Sequence, residues 1–202
     1  MTTPAPYPVT LDAQLSPTLS RWLWLVKWLL AIPHYVVLIL LTFAAIILTI
    51  AAFFAIIFTG KYPRGIFDFN VGVLRWCWRV DYYAISGLGT DRYPPFSLKD
   101  GDYPVKLEVA YPEKLSKGLV LVKWWLLAIP HYLIVAVLHG GVGRFGGLNT
   151  VLVLISAVAL LFTGKYPASI FELVLGFNRW AYRVAAYAML MRDEYPPFRL
   201  GP

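Results

Sequence analysis

The feature that most limits how this chain can fold is a long apolar segment without a charged side chain. Tyr35 to Phe58 contains no Asp, Glu, Lys or Arg, and Gly118 to Leu138 contains only Lys123. Both segments reach the roughly 20 apolar residues that cross a bilayer core of about 30 Å. Only 14% of the 202 residues are charged, against about 25% in an average soluble domain. The sequence therefore predicts a membrane protein.

A cleaved signal peptide is the alternative interpretation of the first apolar segment. The run from Trp22 to Phe58 is far longer than the apolar region of a signal peptide, and it lacks a small-residue cleavage site. Much of it also recurs in the middle of the chain, where no signal peptidase acts. We therefore expect the segment to be retained.

The basic residues favour lipid over nucleic acid as a partner. Eighteen Lys and Arg against eleven Asp and Glu give a net charge of +7, and the basic residues flank or interrupt apolar helices. This distribution is typical of membrane orientation signals and of contacts with anionic headgroups. The single cysteine, Cys77, excludes an intrachain disulfide and a cysteine metal site. We expect no metal and no cofactor.

Three blocks of sequence occur twice and in the same order, which indicates a tandem duplication. The first pair is YPVTLDAQLSPTLSRWLWLVKWLLAIPHY at 7–35 and YPVKLEVAYPEKLSKGLVLVKWWLLAIPHY at 103–132. The second is FTGKYPRGIFDFNVGVLRWCWRV at 58–80 and FTGKYPASIFELVLGFNRWAYRV at 162–184, and the third is DRYPPFSL at 91–98 and DEYPPFRL at 193–200. The predicted units are residues 7–98 and 103–200.

The repeated blocks resemble a bacterial family of small membrane proteins. The blocks LxKWxLAIPHY, FTGxYPxxxF, RWxxRVxxY and DxYPPF are similar to those of the domain-of-unknown-function family four-three-eight-nine. The resemblance covers nearly the whole chain, twice. The resemblance implies a membrane protein. Because no activity is assigned to the family, it implies no functional residue in this chain.

Each unit is predicted to contain five pieces. A short strand alternates apolar Val9, Leu11 and Ala13 with polar residues, and Val105, Leu107 and Val109 repeat the pattern. Helix A follows from about Ser20 and Ser116, helix B ends at the FTGKYP turn, helix C runs from about Ile66 and Ile170, and a YPPF segment closes the unit. The segment PPFSLKDGDYPVKLEV predicts a hairpin that turns at Lys99 to Asp102.

These pieces predict an all-α membrane protein of two tandem parallel repeats, with four hydrophobic membrane segments, amphipathic interfacial helices and a small β-cap. Because strands begin and end each unit, the unit must cross the membrane an even number of times. We favour a hairpin of two spans, A and B, with helix C on the surface, since centred arginines cost at least about 2.5 kcal/mol. The glycine-rich stretch at 139–149 predicts the A–B bend of the second unit.

Other arrangements stay open. In one, A and B form one long span and C crosses back; in another, a helix kinked at Pro33 leaves A partly in the interface. All eight tryptophans lie in helices A and C, which predicts a belt at one interface. Under the hairpin scheme, Arg144 is the only Lys or Arg beyond the far side. Because nearly all basic residues would then lie on the other side, we predict a multi-pass cell-membrane protein with both termini in the cytoplasm.

Helix C carries a recurring charged stripe. Asp68, Arg75 and Arg79 recur as Glu172, Arg179 and Arg183 at a constant offset. We expect these charges to hold an interfacial helix and to pair between repeats, Asp68 with Arg179 or Arg183 and Glu172 with Arg75 or Arg79. The alternative function is a site for an anion or a lipid headgroup, or the lumen of an oligomer.

Two further sets of polar residues recur. We expect His34 and His131, in the repeated AIPHY, to bond a carbonyl that the adjacent proline frees; the alternative is a proton relay. Lys27 precedes His34 by seven residues and Lys123 precedes His131 by eight, which argues against a working Lys–His pair. The GKYP turns do not have the spacing of a phosphate loop. We predict instead that each turn ends a helix and that Lys61, Tyr62, Lys165 and Tyr166 lie at the level of the lipid headgroups.

The function that these features favour is non-enzymatic. No Ser/His/Asp set, metal spacing or close carboxylate pair recurs. We expect an accessory or scaffolding membrane protein that acts through its cytoplasmic face, with anionic lipid or another membrane protein as partner and without nucleic acid. The alternative is a pore or transporter for anions or lipids at the repeat interface or in an oligomer. A homo-oligomer is compatible with either.

Overall fold

The computed structural model describes residues 7–140 and 147–201. The elements of the first unit are β1 (Val9–Ala13), α1 (Trp24–Leu30), α2 (Ile32–Thr59) and α3 (Arg64–Ala84). The elements of the second unit are β2 (Val105–Val109), α4 (Leu119–Val122), the π-helical turn π1 (Lys123–Leu127), α5 (Ile129–Val135), the π-helical turn π2 (Ala136–Gly140), α6 (Leu148–Thr163) and α7 (Ala168–Ala188). The protein is mostly helical, with one two-stranded sheet.

The strands form where alternation predicted them, but they pair differently. β1 pairs antiparallel with β2, and Leu11 lies opposite Leu107, its own counterpart in the other unit. The predicted hairpin around Lys99 to Asp102 is therefore wrong. The residues before Lys99 do not form a strand, because they pack on the helices: Phe96 stacks on His34, and Leu98 packs against Gly72 of α3. The apolar residues of both strands face the helices, and Thr10, Asp12, Lys106 and Glu108 face outward.

The pairing of equivalent residues fixes the symmetry of the two units. Two antiparallel strands paired at equivalent positions are related by a twofold axis normal to their sheet. Across this axis Trp78 meets its counterpart Tyr182, with ring centroids 5.6 Å apart. Tyr62, before α3, bonds Met189, after α7, and Tyr82 near the end of α3 meets Phe171 near the start of α7. Helices α3 and α7 therefore run antiparallel and lie perpendicular to the axis. The sequence predicted parallel repeats, but the equivalent C helices, α3 and α7, run in opposite directions.

The helices and the sheet stack in three layers. One side of α3 faces the sheet, where Trp78 donates to the carbonyl of Asp12 and Arg75 to that of Leu107. The opposite side faces α2, where Asn70 donates to the Thr49 hydroxyl at 3.1 Å. By the pseudo-twofold, α7 lies beside α3 in the middle layer, and α6 lies with α2 in the layer farthest from the sheet. The sheet thus covers the sides of the C helices and does not cap an end of the bundle.

Helix B of the first unit is not half of a hairpin. α2 is one helix of 28 residues, and its first turn contains Pro33, where the missing N–H leaves no intrahelical bond unmade. The break between α1 and α2 lies at Ala31. The predicted hairpin of two spans is therefore wrong for this unit, in which the helix breaks at Ala31, two residues before Pro33.

The second unit follows the same path with two insertions. α5 and α6 both pack on α7, one after the other, and Gly147 lies against the backbone of Leu138, so α6 starts beside the end of π2. α5 and α6 therefore follow one path along α7, and the bend that was predicted between them at 139–149 falls largely on residues outside the described part of the chain. Arg144, on which the orientation argument drew, lies outside the described residues. The extra residue of helix A, one of Trp124 and Trp125, falls in π1, because a π-helical turn adds one residue without changing the helix direction.

Two helical stretches in the described part of the chain are long and apolar enough to cross a membrane, Ile32–Thr59 and Leu119–Gly140. Only 17% and 22% of their most apolar windows are buried, whereas a core helix of a soluble protein is mostly buried. α6 is apolar but has 16 residues. This supports association with a membrane, and the predicted four spans are not confirmed.

Candidate functional site

The repeated histidines form one aromatic cluster in each unit. In the first unit, Trp76 of α3 donates its indole N–H to Nδ1 of His34 at 3.0 Å. Phe96 stacks on the imidazole with centroids 3.9 Å apart, and Tyr93 packs beside it at 4.9 Å. Because Nδ1 accepts, the imidazole is neutral and carries its proton on Nε2. The predicted partner was a carbonyl that the adjacent proline frees, whereas the partner of Nδ1 is the Trp76 indole.

The second unit builds the same cluster. Trp180 donates to Nδ1 of His131 at 3.0 Å, and Phe198 and Tyr195 pack on the ring at 4.5 Å and 4.6 Å. The clusters join three repeated blocks, AIPHY, RW and YPPF, that are far apart in sequence. This explains why those blocks recur together. The cluster was not foreseen, because no spacing within one block indicates its partner in another.

A buried lysine secures each YPPF segment to helix A. Lys27 is 1% exposed, lies 2.8 Å from Asp91 and donates to the carbonyl of Thr90. Burial lowers the pKa of the Lys27 ammonium, and the hydrogen bond and charge of Asp91 oppose that shift. Lys123 is fully buried and lies 2.7 Å from Asp193. The π-helical turn lets Lys123 and His131 keep their partners despite the extra residue. Each lysine pairs with an aspartate and neither pairs with a histidine.

The outer arginines of helix C hold the strands, and they do so across the repeats. Arg75 donates through Nε to the carbonyl of Leu107 at 3.2 Å. Its counterpart Arg179 donates to the carbonyl of Leu11 at 2.9 Å and pairs with Asp12 at 2.8 Å. Each unit therefore binds the strand of the other.

The inner arginines hold the ends of their own units. Arg79 donates to the carbonyl of Lys99 at 2.8 Å, and Arg183 to the carbonyls of Arg199 and Gly201. Burial lowers the pKa of Arg79, and the neighbouring Arg75 acts in the same direction. These bonds are to neutral carbonyl groups, so the buried guanidinium charges act as structural donors.

The predicted ion pairs between repeats do not form. Asp68 instead lies 3.7 Å from Arg64, one turn earlier in α3, and both side chains are exposed. Glu172 is exposed as well. The physical reason is exposure: Asp68 and Glu172 lie on the surface near the starts of their helices. The arginines meanwhile face strand and loop carbonyls.

One carboxyl group between the repeats breaks the symmetry. Asp81 accepts a hydrogen bond from the Tyr182 hydroxyl at 2.7 Å, and its counterpart in the second unit is Ala185. Burial raises the pKa of Asp81 to about 6, and the bond from Tyr182 acts against that rise. The sequence indicates the asymmetry but not the burial.

The two residues of each GKYP turn have different environments. Gly60 and Gly164 end their helices in the left-handed conformation, with φ of 72° and 70°, which confirms the helix stop. Lys61 and Lys165 are exposed. Tyr62 is fully buried and donates to the carbonyl of Met189, and Tyr166 is buried too. Both tyrosines are therefore part of the interior, and only the two lysines are on the surface.

Two cavities differ in polarity. The larger, about 880 Å³, lies beside the sheet and is lined by polar groups that include Asp12, Gln14, Asp91 and Asp102. The smaller, about 590 Å³, lies between α2 and the second unit, with Ile46, Phe53 and Trp124 in its wall. Neither contains any of the four helix C arginines. Within residues 7–140 and 147–201, no three His, Cys, Asp or Glu side chains lie close enough to share a metal ion.

Comparison with known proteins identifies the family. No curated protein and no solved structure matches the chain. A family model described as a domain of unknown function, DUF4389, matches residues 21–97 and again residues 121–199. Each match falls within one of the two units and contains its AIPHY, FTGKYP and YPPF blocks. The chain therefore belongs to the DUF4389 family and contains two tandem copies of its domain.

Proposed function

We propose that this protein is a non-enzymatic accessory or scaffolding protein of the membrane that acts through a polar cytoplasmic face. The observation that carries the proposal is the opposite character of the two outer layers. The α2/α6 layer exposes apolar side chains, whereas the sheet exposes Thr10, Asp12, Lys106 and Glu108. A protein with these two faces is suited to hold a partner at a membrane surface.

The use of the buried polar groups supports a structural role for the interior. Lys27 and Lys123 pair with aspartates, and the four helix C arginines bind carbonyls of strands and loops. Charged groups committed to such bonds are satisfied in the folded state. Their removal should therefore affect stability first.

The outward face of the sheet is the surface that we assign to a partner. Its two strands present alternating side chains of both signs, Asp12 and Glu108 against Lys106. The large polar cavity lies at its edge. A mixed-charge surface of this kind suits another membrane protein, and the exposed Lys61 and Lys165 suit anionic lipid headgroups.

The ends of the described chain lie close together. Tyr7 packs against the Arg183 guanidinium, and Arg183 donates to the carbonyl of Gly201. We place both ends, with the sheet, in the cytoplasm.

A pore or transporter for anions or lipids is the alternative. That function requires the helix C arginines to line a path for the solute. Their bonds to backbone carbonyls and their absence from both cavity walls favour scaffolding.

The test is native mass spectrometry of protein extracted in detergent, with a matched sheet variant. We expect the wild-type protein to retain a protein partner or an anionic lipid. Lys106→Glu combined with Glu108→Lys keeps the net charge and should lose a protein partner, because it reverses the charge pattern of the exposed face. Anion flux through protein-containing liposomes, without any retained partner, would instead support the transport alternative.

A further inference from the structure

We propose that the protein lies in a single leaflet, with its long helices parallel to the membrane surface and its pseudo-twofold axis along the membrane normal. The partner of the α2/α6 layer is then the hydrocarbon of one leaflet, and the sheet lies on the cytoplasmic side. This inference rests on the proposed membrane association, and it replaces the multi-pass topology expected from the sequence.

The first argument is the continuous apolar face of the outer layer. The buried residues of α2 follow one stripe that includes His34, Ala45 and Ile56, and this stripe faces α3. The opposite face exposes only apolar side chains over the length of the helix: Val36, Leu40, Phe43, Ile47, Phe54 and Phe58. In α6, Val151, Leu154, Ile155, Val158 and Phe162 are exposed. Such a face is far more than a monomeric protein usually leaves to water.

The second argument is the level of the sheet relative to the long helix. Asn70 of α3 bonds Thr49, and Trp76 bonds His34. Arg75, which holds β2 through Leu107, therefore lies between these levels, along the middle stretch of α2. If α2 crossed a bilayer, the sheet would lie at mid-depth with Asp12, Lys106 and Glu108 facing outward. Charged side chains there cost about 2.5–3.5 kcal/mol each even on the lowest scales. Helices that lie flat avoid this cost.

The third argument is the symmetry. Helices α3 and α7 run antiparallel. If the long helices crossed the bilayer, the two units would therefore be inverted relative to each other in the membrane. The two exposed GKYP lysines, Lys61 and Lys165, would then lie on opposite sides. With the axis along the normal, both units immerse the same face to the same depth. The near-identical sequences of the two turns fit one environment better than two.

The fourth argument is the border of the apolar face. Trp22, Trp28, Trp124 and Trp125 are exposed on the helix A segments. The indole N–H groups of Trp28 and Trp125 donate to carbonyls one turn earlier, so these rings lose little by immersion. Exposed Arg21, Lys61, Lys117 and Lys165 stand near the helix ends. Tryptophan beside basic residues is typical of helices that lie about 5–10 Å deep in the interface.

The test measures depth along one helix. Val36, Ile47 and Phe58 lie three turns apart on the exposed face of α2, about 16 Å from one to the next. Each is replaced by cysteine in a Cys77→Ala background, labelled with a nitroxide and reconstituted in vesicles of phosphatidylglycerol and phosphatidylcholine. Depth is read from relaxation by oxygen and by a water-soluble nickel complex. We expect the three depths to agree within a few ångströms.

A second set and a water reference keep the test independent of any single variant. Val151→Cys and Phe162→Cys, on α6, should report the same depth as Ile47 and Phe58, and Thr10→Cys on the sheet should report water. A profile with Ile47 deepest and both ends shallow by about 16 Å would mean that α2 crosses the bilayer, and would overturn the single-leaflet arrangement alone. Failure of the wild-type protein to bind vesicles would overturn the membrane function as well.

Discussion

At the scale of the residue, the buried lysines and arginines of the described chain have partners, either a carboxylate or a backbone carbonyl oxygen. Lys27 and Lys123 are each enclosed by an aspartate and by loop carbonyls, and Tyr83 and Tyr187 lie over their ammonium groups. A buried pair of this type contributes little compared with two apolar residues of similar volume, but breaking it leaves one charge uncompensated.

The buried pair predicts a coupled effect. Asp91→Asn should lower the free energy of unfolding by about 3–5 kcal/mol, because the Lys27 ammonium would remain in the interior without its partner. Asp91→Asn with Lys27→Met should lose less than the sum of the two single variants. Thermal melts in detergent measure both, and Asp193→Asn with Lys123→Met is the matched pair in the second unit. Strictly additive losses would contradict the pairing.

The partly buried Asp81 predicts a dependence of stability on pH. The pKa of Asp81 in the folded state, about 6, lies above the ordinary value for an aspartate of about 3.9, so the folded state binds the proton more tightly than the unfolded state. Stability should therefore fall as pH rises from about 4 to 6.5, by at most about 3 kcal/mol from this group. Asp81→Ala reproduces Ala185 of the second unit and should flatten this part of the profile. Melting temperatures across that pH range provide the measurement, and an unchanged slope in the variant would contradict the assignment.

At the scale of the element, the helix A segments accept an extra residue because the second unit has a π-helical turn where the first has α-helix. Lys123, the first residue of π1, and His131, in α5 after it, bind the same kinds of partners as Lys27 and His34. The irregular helix therefore preserves two fixed contacts.

The π-helical turn predicts opposite outcomes for two deletions. Deleting Trp125 makes the stretch at 121–132 identical to LVKWLLAIPHY at 25–35 of the first unit. We therefore expect π1 to become α-helical and the unfolding free energy to change by less than about 1 kcal/mol. Deleting Trp28 removes a residue from a helix without a π-helical turn, so Lys27 and His34 cannot both reach their partners. That loss should reach several kcal/mol, since it breaks a buried ion pair. Equal losses from the two deletions would contradict this account.

The sequence predicts the elements of this fold better than their arrangement. The period-2 alternation around Leu11 and Leu107 gives the strands, and Pro33 and the GKYP glycines give the helix limits. The partners could not be predicted, because pairing Leu11 with Leu107 depends on a symmetry that neither strand contains. The same holds for the site. Arg75 and Arg79 were recognised as important, yet their partners are backbone carbonyls, which leave no signature in a sequence.

At the scale of the whole molecule, the antiparallel C helices and the one-sided apolar layer define how the protein meets the membrane. The apolar layer lies at one end of the pseudo-twofold axis and the charged sheet at the other. If the membrane contacts only the apolar layer, equivalent ends of the two units lie on the same side of the membrane.

This arrangement predicts the sidedness of two equivalent positions. Lys61→Cys and Lys165→Cys, in a Cys77→Ala background, should react with an impermeant thiol reagent only after the cell is opened. Asp100→Cys, on the exposed segment between the units, is the control for the face that we propose to be cytoplasmic. Labelling of one lysine position in intact cells, with the other protected, is the result expected for inverted crossing units and would rule out a single-leaflet orientation.

The crosswise strand contacts have a consequence for how such a protein could arise. A chain with one unit would have an unpaired strand and an outer arginine without its strand carbonyl, since β1 and Arg75 both find their partners in the other unit. Two such chains would satisfy these groups by associating about a twofold axis, with the strand leucines facing each other. The present chain then corresponds to a symmetric dimer joined end to end by gene fusion. Once the halves were covalently linked, each became free to change alone, as Asp81 facing Tyr182 and the second unit's extra tryptophan already illustrate.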